Sequence, residues 1–180
     1  MQESTQHAWR FIVLGTVALA ALNTLGDWIW AVYIPRGQMI HGVVHGAVLW
    51  MALGIVLGQA AGTTRAVWRG VSGQLVIGLL VSASFYPLFR LIGWTAMVID
   101  WMLLWILTGW LNRWLRESRE PLSRSVIRGV MAAVFSGLAF YAVSDIWTTA
   151  HEGGYLWNFA CWLFAFFPGL FAMLHPWPKR

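Results

Sequence analysis

The chain has 180 residues, of which 59% are hydrophobic and 11% charged, with a mean hydropathy of +0.63. An ordinary soluble domain carries about 25% charged residues; here the apolar residues come in runs of roughly 18 or more, the length of a membrane span. The net charge of +5 and the pI of about 10.1 arise in short loops between those runs. With no RNP-like, zinc-finger or helix-turn-helix pattern beside them, they exclude a nucleic-acid partner and read as orientation signals.

Six spans are expected, at about residues 8–33, 38–60, 69–89, 92–115, 122–148 and 155–175. The fold class is therefore all-α, a polytopic membrane helical bundle forming one integral membrane domain. Span one contains the run Phe11 to Leu22, followed by Asn23, Thr24 and Asp27. No soluble domain follows, so the run reads as a membrane helix rather than a signal-peptide core. Pro35-Arg36-Gly37 ends it, because proline and glycine stop a helix and reverse the chain. Span two opens on His41-Gly42-Val43-Val44-His45-Gly46, and Ala61-Gly62-Thr63-Thr64-Arg65 closes it. Pro87, Arg90 and Gly93 mark a tight turn between spans three and four. The most polar stretch, Arg116-Glu117-Ser118-Arg119-Glu120-Pro121, precedes span five, with Pro121 suited to a first helical turn. Thr148 to Gly154 separates spans five and six, and Pro176 and Pro178 end the last. Many of the 14 tryptophans stand near span ends, as an interfacial aromatic belt requires. The single Cys161 cannot form an internal disulfide and reads as a packing residue.

The distribution of basic residues sets an expected orientation. With the N-terminus inside, Arg10, Arg65, Arg69, Arg113, Arg116, Arg119, Arg124, Arg128, Lys179 and Arg180 fall on the inner side, and only Arg36 and Arg90 fall outside. That bias predicts both termini inside. A bacterial inner membrane is the expected location. Arg10, Arg69 and Arg128 are each 59 residues apart, and Arg69-Gly70-Val71 is echoed by Arg128-Gly129-Val130. The spacing fits either a triplicated helical hairpin or the ordinary length of a short-looped pair of spans.

On this topology the remaining ionisable residues gather in the outer half. Asp27 and Asp145 lie near the outer ends of spans one and five, His41 and His45 at the start of span two, Arg90 beside the outer turn, and Asp100 some eight residues into span four. An ionisable group at membrane depth is by default a candidate functional residue. Asp100, flanked by Met97-Val98-Ile99 and Trp101-Met102-Leu103-Leu104, needs a partner or a proton, and His41, His45 and Arg90 are the expected partners. His41 and His45, four apart, share one helix face. They suit either hydrogen bonds to neighbouring helices or a metal ion, although the glutamate of a zinc-protease motif is missing. No serine-nucleophile elbow, P-loop or dinucleotide fingerprint is present. Gly42/Gly46 and Gly54/Gly58 repeat at four, a pattern that lets helices approach closely, within the chain or between copies in an oligomer.

Six short-looped spans in this length, with Thr108-Gly109-Trp110-Leu111 leading into the basic loop, Tyr155-Leu156-Trp157 opening the last span and Phe166-Phe167-Pro168-Gly169 within it, resemble the core of the Insig family of sterol- and lipid-associated membrane proteins. The resemblance covers about a third of the chain. It implies a six-span bundle that engages membrane lipids. His41 and His45 stand where animal Insigs have paired prolines and cysteines. The expected function is binding of a lipid or other apolar small molecule in an outer-half cavity, anchored by His41, His45 and Asp100, with Asp27, Asp145 and Arg90 nearby. Two other classes stay open: a metal- or haem-dependent membrane enzyme using His41 and His45, and an assembly subunit without a ligand.

Overall fold

The computed structural model describes residues 2–33, 39–118, 120–144 and 154–176. These residues form six α-helices: α1 (Gln2–Tyr33), α2 (Met39–Ala60), α3 (Thr64–Ile92), α4 (Thr95–Leu115), α5 (Leu122–Ser144) and α6 (Gly154–Leu174). All six are long and apolar enough to cross a membrane, so the chain is a multi-pass helical bundle by length and composition.

The helix ends follow local chemistry. Gly62 takes φ +85 in the turn after α2, and the Thr63 hydroxyl then accepts the Ala66 N–H at 3.0 Å as an N-cap. Gly93, at φ +59, closes α3 with its N–H on the Phe89 carbonyl at 2.8 Å. The turn expected at Pro87 is corrected here. Pro87 lies inside α3, which continues to Ile92; a proline is tolerated within membrane helices, where neighbouring groups can satisfy the backbone it frees. Pro168 likewise lies inside α6.

Consecutive helices run antiparallel. Each packs on the next, and α1 packs on α6, so the bundle closes into a ring. The glycine pattern explains the closest approach. Gly42 lies against Tyr86, Gly46 against Ser82, Gly54 against Gly70 and Gly58 against Val67. The small-residue face of α2 considered for oligomer contacts is thus occupied by α3 of the same chain, since only backbone without Cβ fits there. The even-numbered helices meet in the interior. Trp50 of α2, Trp101 and Trp105 of α4 and Phe166 of α6 form an aromatic layer with ring separations of 5.9–6.5 Å. Trp105 and Phe166 are fully buried, and the Trp105 ring rests on Gly169.

The alternation gathers Arg10, Arg65, Arg69, Arg113, Arg116, Arg124 and Arg128 at one end of the bundle, called here the arginine end. Asp27, His45, Arg90 and Asp100 lie toward the opposite end.

Candidate functional site

At the end opposite the arginines, two polar groups flank one cavity. The first is built on Asp27 of α1. Its Oδ2 accepts the indole N–H of Trp162 at 2.7 Å and the Asn158 amide at 3.1 Å, both from α6. Its Oδ1 lies 3.4 Å from His45 Nε2 on α2. Thr24, one turn earlier on α1, donates to Asn158 Oδ1 at 3.3 Å. Gly26 lets α2 approach at this level, because a Cβ there would lie 3.2 Å from His45 Cε1 and 2.6 Å from Leu49 Cδ2. One carboxylate thereby ties α1, α2 and α6 together with hydrogen bonds to an ionisable acceptor, the stronger kind.

The second group is Asp100 on α4, which is buried. Ser84 of α3 donates to its Oδ1 at 2.7 Å, while Oδ2 has no hydrogen-bond partner among the described residues. Asp100 lines a cavity of about 250 Å³ between α2, α3, α4 and α6, walled by Trp50, Phe85, Tyr86, Met97, Trp101 and Trp162. Trp162 connects the two groups: its ring forms part of the wall and its N–H is held by Asp27.

The placement corrects several expectations. His45 pairs with Asp27 and not with Asp100, because the α1–α2 hairpin brings those two residues level. Arg90 is exposed in the last turn of α3 and forms no ion pair among the described residues. Asp145 and the His41 side chain lie outside what is described. Among the described residues no three His, Cys, Asp or Glu side chains come together to hold a metal ion. Asn158 has no candidate role in the sequence, where Ser84 reads only as one of several span hydroxyls and Trp162 only as one of the many aromatics of span six. Ser84 carries a signal in principle, being eight residues before Ile92 where Asp100 is eight after it; Asn158 and Trp162 carry none.

The arginine end holds a second polar region that sequence reasoning treated only as loops. Arg128 Nη1 donates to the carbonyls of Ala172 and His175, each at 3.0 Å, and Asn112 Nδ2 donates to that of Met173 at 3.1 Å. These groups satisfy the carbonyls that α6 leaves unpaired at its C-terminus. Glu120 pairs with Arg124 at 3.2 Å and Glu117 lies 3.5 Å from Arg69, whose guanidinium stacks 4.7 Å over Trp114. Arg113 donates through Nε to the Glu120 carbonyl and Arg116 through Nε to Asn112 Oδ1. Desolvation by the surrounding chain draws the Arg116 guanidinium below its ordinary pKa, and Glu120 opposes that shift.

Comparison with protein-family models, curated proteins and solved structures finds no match. The likeness to the Insig core therefore rests on the motifs quoted above.

Proposed function

We propose that this chain is a membrane binding protein that takes a small, largely apolar molecule carrying a hydrogen-bond donor into the cavity beside Asp100. The observation that carries the reading is the second oxygen of Asp100, which is buried, without a hydrogen-bond partner among the described residues, on a side chain that lines an aromatic-walled cavity. A polar group buried without a hydrogen bond is costly, more so at membrane depth. A donor on a ligand would remove that cost, and the surrounding rings supply the apolar contact typical of small-molecule sites. The cavity, at about 250 Å³, falls below the ~300–1,000 Å³ of pockets that enclose drug-sized ligands. It suits a single ring or a short amine better than a whole lipid. The Asp27–Trp162 hydrogen bond fixes one wall. The metal-enzyme reading has less support, because His45 has one acidic neighbour and no third ligand among the described residues.

Tryptophan fluorescence of the purified protein in nanodiscs tests this, with benzylamine as the donor-bearing probe and toluene as its donor-free control. Benzylamine is expected to bind at least tenfold more tightly than toluene, and Asp100→Leu is expected to remove the difference. Equal binding of the two probes by the unaltered protein would overturn the proposal. The same reading sets both termini on the cytoplasmic side of a bacterial inner membrane, so that the cavity lies in the outer half, because arginine-rich loops stay inside. A membrane-impermeant maleimide added to intact cells should label Arg90→Cys and spare Ser118→Cys; the reverse pattern refutes the orientation.

A further inference from the structure

The arginine end offers a second site of different chemistry. A cavity of about 670 Å³ opens there, lined by Arg113, Arg116, Ser118, Ser125, Arg128 and His175 among others. Beside it, a groove of about 790 Å³ runs along the outer surface of α3 and α4. Its walls are apolar, with Val76, Ile77, Leu80, Leu107 and Trp110 among them, and its end carries Arg69, Arg113 and Ser118. Arg113 and Ser118 line both spaces. An apolar channel and a basic chamber therefore meet at one guanidinium.

Charge and dimensions indicate what fits. Two carboxylates line these spaces, Glu117 in the groove and Glu120 in the chamber, and they are paired with Arg69 and Arg124. Arg128 faces the carbonyls ending α6. Among the described residues, Arg113 and Arg116 form no salt bridge and each is hydrogen-bonded only through its Nε. Two guanidiniums with free terminal nitrogens are a fork for phosphate oxygens. From Arg69 to Leu80 the groove follows eleven residue steps of α3, about 16 Å of helix axis at ~1.5 Å per step. That is close to half of the ~30 Å hydrocarbon core of a bilayer, the depth of one leaflet. Val76, Leu80 and Trp110 are each more than half exposed on this face, so none of the described helices covers it.

We propose that this end of the bundle binds one anionic phospholipid from the membrane, with an acyl chain in the α3–α4 groove and the phosphate held by Arg113 and Arg116. The site is separate from the cavity at Asp100 and does not depend on the function proposed for it. Basic pockets between helices on the cytoplasmic face are where anionic headgroups are recognised, and a chain seated in the groove distinguishes a resident lipid from one attracted by net charge alone.

Native mass spectrometry of the purified protein tests the site, with phosphatidylglycerol and phosphatidylcholine of identical chains as probes and inorganic phosphate as competitor. Phosphatidylglycerol is expected to be retained at least tenfold better than phosphatidylcholine. Arg113→Gln with Arg116→Gln should reduce that preference to within twofold, whereas Arg65→Gln, at the same end but outside both spaces, should leave it unchanged. Val76→Trp, which fills the groove and alters no charge, should lower retention of phosphatidylglycerol at least fivefold. It serves as the deciding variant if the double arginine substitution does not fold. Equal retention of the two lipids overturns the proposal. So does loss of the preference in Arg65→Gln, which would indicate general surface charge. So does displacement by inorganic phosphate together with no effect of Val76→Trp, which would assign the chamber to a soluble anion.

Discussion

The hydrogen bond from Trp162 to Asp27 is the most exacting test of the site, because it joins the first and last helices of the ring. Trp162→Phe removes the indole N–H. It keeps an aromatic ring against Phe140 and Phe166, whose centroids lie 5.2 and 5.7 Å away. Asp27→Leu removes the acceptor and leaves both Trp162 and Asn158 with an unpaired donor. Hydrogen bonds to charged groups contribute about 1.5–3 kcal/mol in soluble proteins. Measured couplings inside a membrane bundle are smaller, averaging ~0.6 kcal/mol with a maximum near 1.7. At 2.7 Å, on a carboxylate whose side chain keeps 28% of its exposure, the bond belongs in the upper part of the membrane range, at about 1–1.7 kcal/mol.

The assay is a double-mutant cycle by SDS-induced unfolding in mixed micelles, followed by circular dichroism. In the unaltered background Trp162→Phe should cost about 1–2 kcal/mol, the bond plus a little packing. In the Asp27→Leu background the same change should cost close to nothing, because it deletes a donor that is already stranded. If Trp162→Phe costs the same in both backgrounds to within about 0.5 kcal/mol, the usual limit for independent sites, the bond carries no energy and Asp27 does not organise the site.

Two further outcomes follow from the packing. A Cβ on Gly129 would lie 2.6 Å from Ile106 Cα, backbone against backbone, whereas one on Gly137 would lie 3.2 Å from a side-chain atom, Trp101 Cδ1. Gly129→Ala should destabilise by about 1–3 kcal/mol through overpacking, and Gly137→Ala should be near neutral because ~1 kcal/mol of helix propensity offsets its crowding; thermal unfolding in detergent giving the opposite order would refute the α4–α5 contact. Gln74 donates to Thr108 at 2.8 Å in the buried α3–α4 seam, so Thr108→Val alone should lower stability by about 1–2 kcal/mol while Gln74→Leu with Thr108→Val recovers most of it, and a double variant as unstable as the sum of the singles would contradict the pairing.

The spans were legible because lipid imposes long apolar runs and because Gly62 and Gly93 punctuate them at positive φ. Pro87 misled because its usual meaning comes from soluble helices, where water competes for the freed carbonyl. Within hairpins, partners were legible in principle: Ser84 and Asp100 stand equally far from Ile92, and Asp27 and His45 equally far from Arg36. The expectation that His45 serves Asp100 skipped that symmetry and joined residues by chemistry alone. Contacts that close the ring were not legible. Asp27 with Trp162, separated by 135 residues, meet only because α1 returns against α6, and no local pattern records which helices become neighbours. The arginine chamber was hidden for a different reason. Loop arginines serve equally as orientation signals, and their spacing does not record what they surround.

Helix α4 carries both proposed sites, with Asp100 and Arg113 thirteen residues apart, about 20 Å along its axis at ~1.5 Å per residue. Between them stands the layer of Trp50, Trp101, Trp105 and Phe166, in which Trp105 and Phe166 are fully buried. Rings packed at this density leave little room for a chain of waters or a sliding substrate, so the geometry favours two separate sites over one path through the bundle. Separate sites have a measurable signature. Sites more than about 7–10 Å apart with no shared partner add to within ~0.3–0.5 kcal/mol. The stability changes of Asp100→Leu and Arg113→Gln should therefore sum in the double variant, and benzylamine affinity should be the same with and without Arg113→Gln. A coupling above ~1 kcal/mol, or an affinity that moves with Arg113, would show that the aromatic layer rearranges between two states. The two sites would then be allosterically linked through that layer.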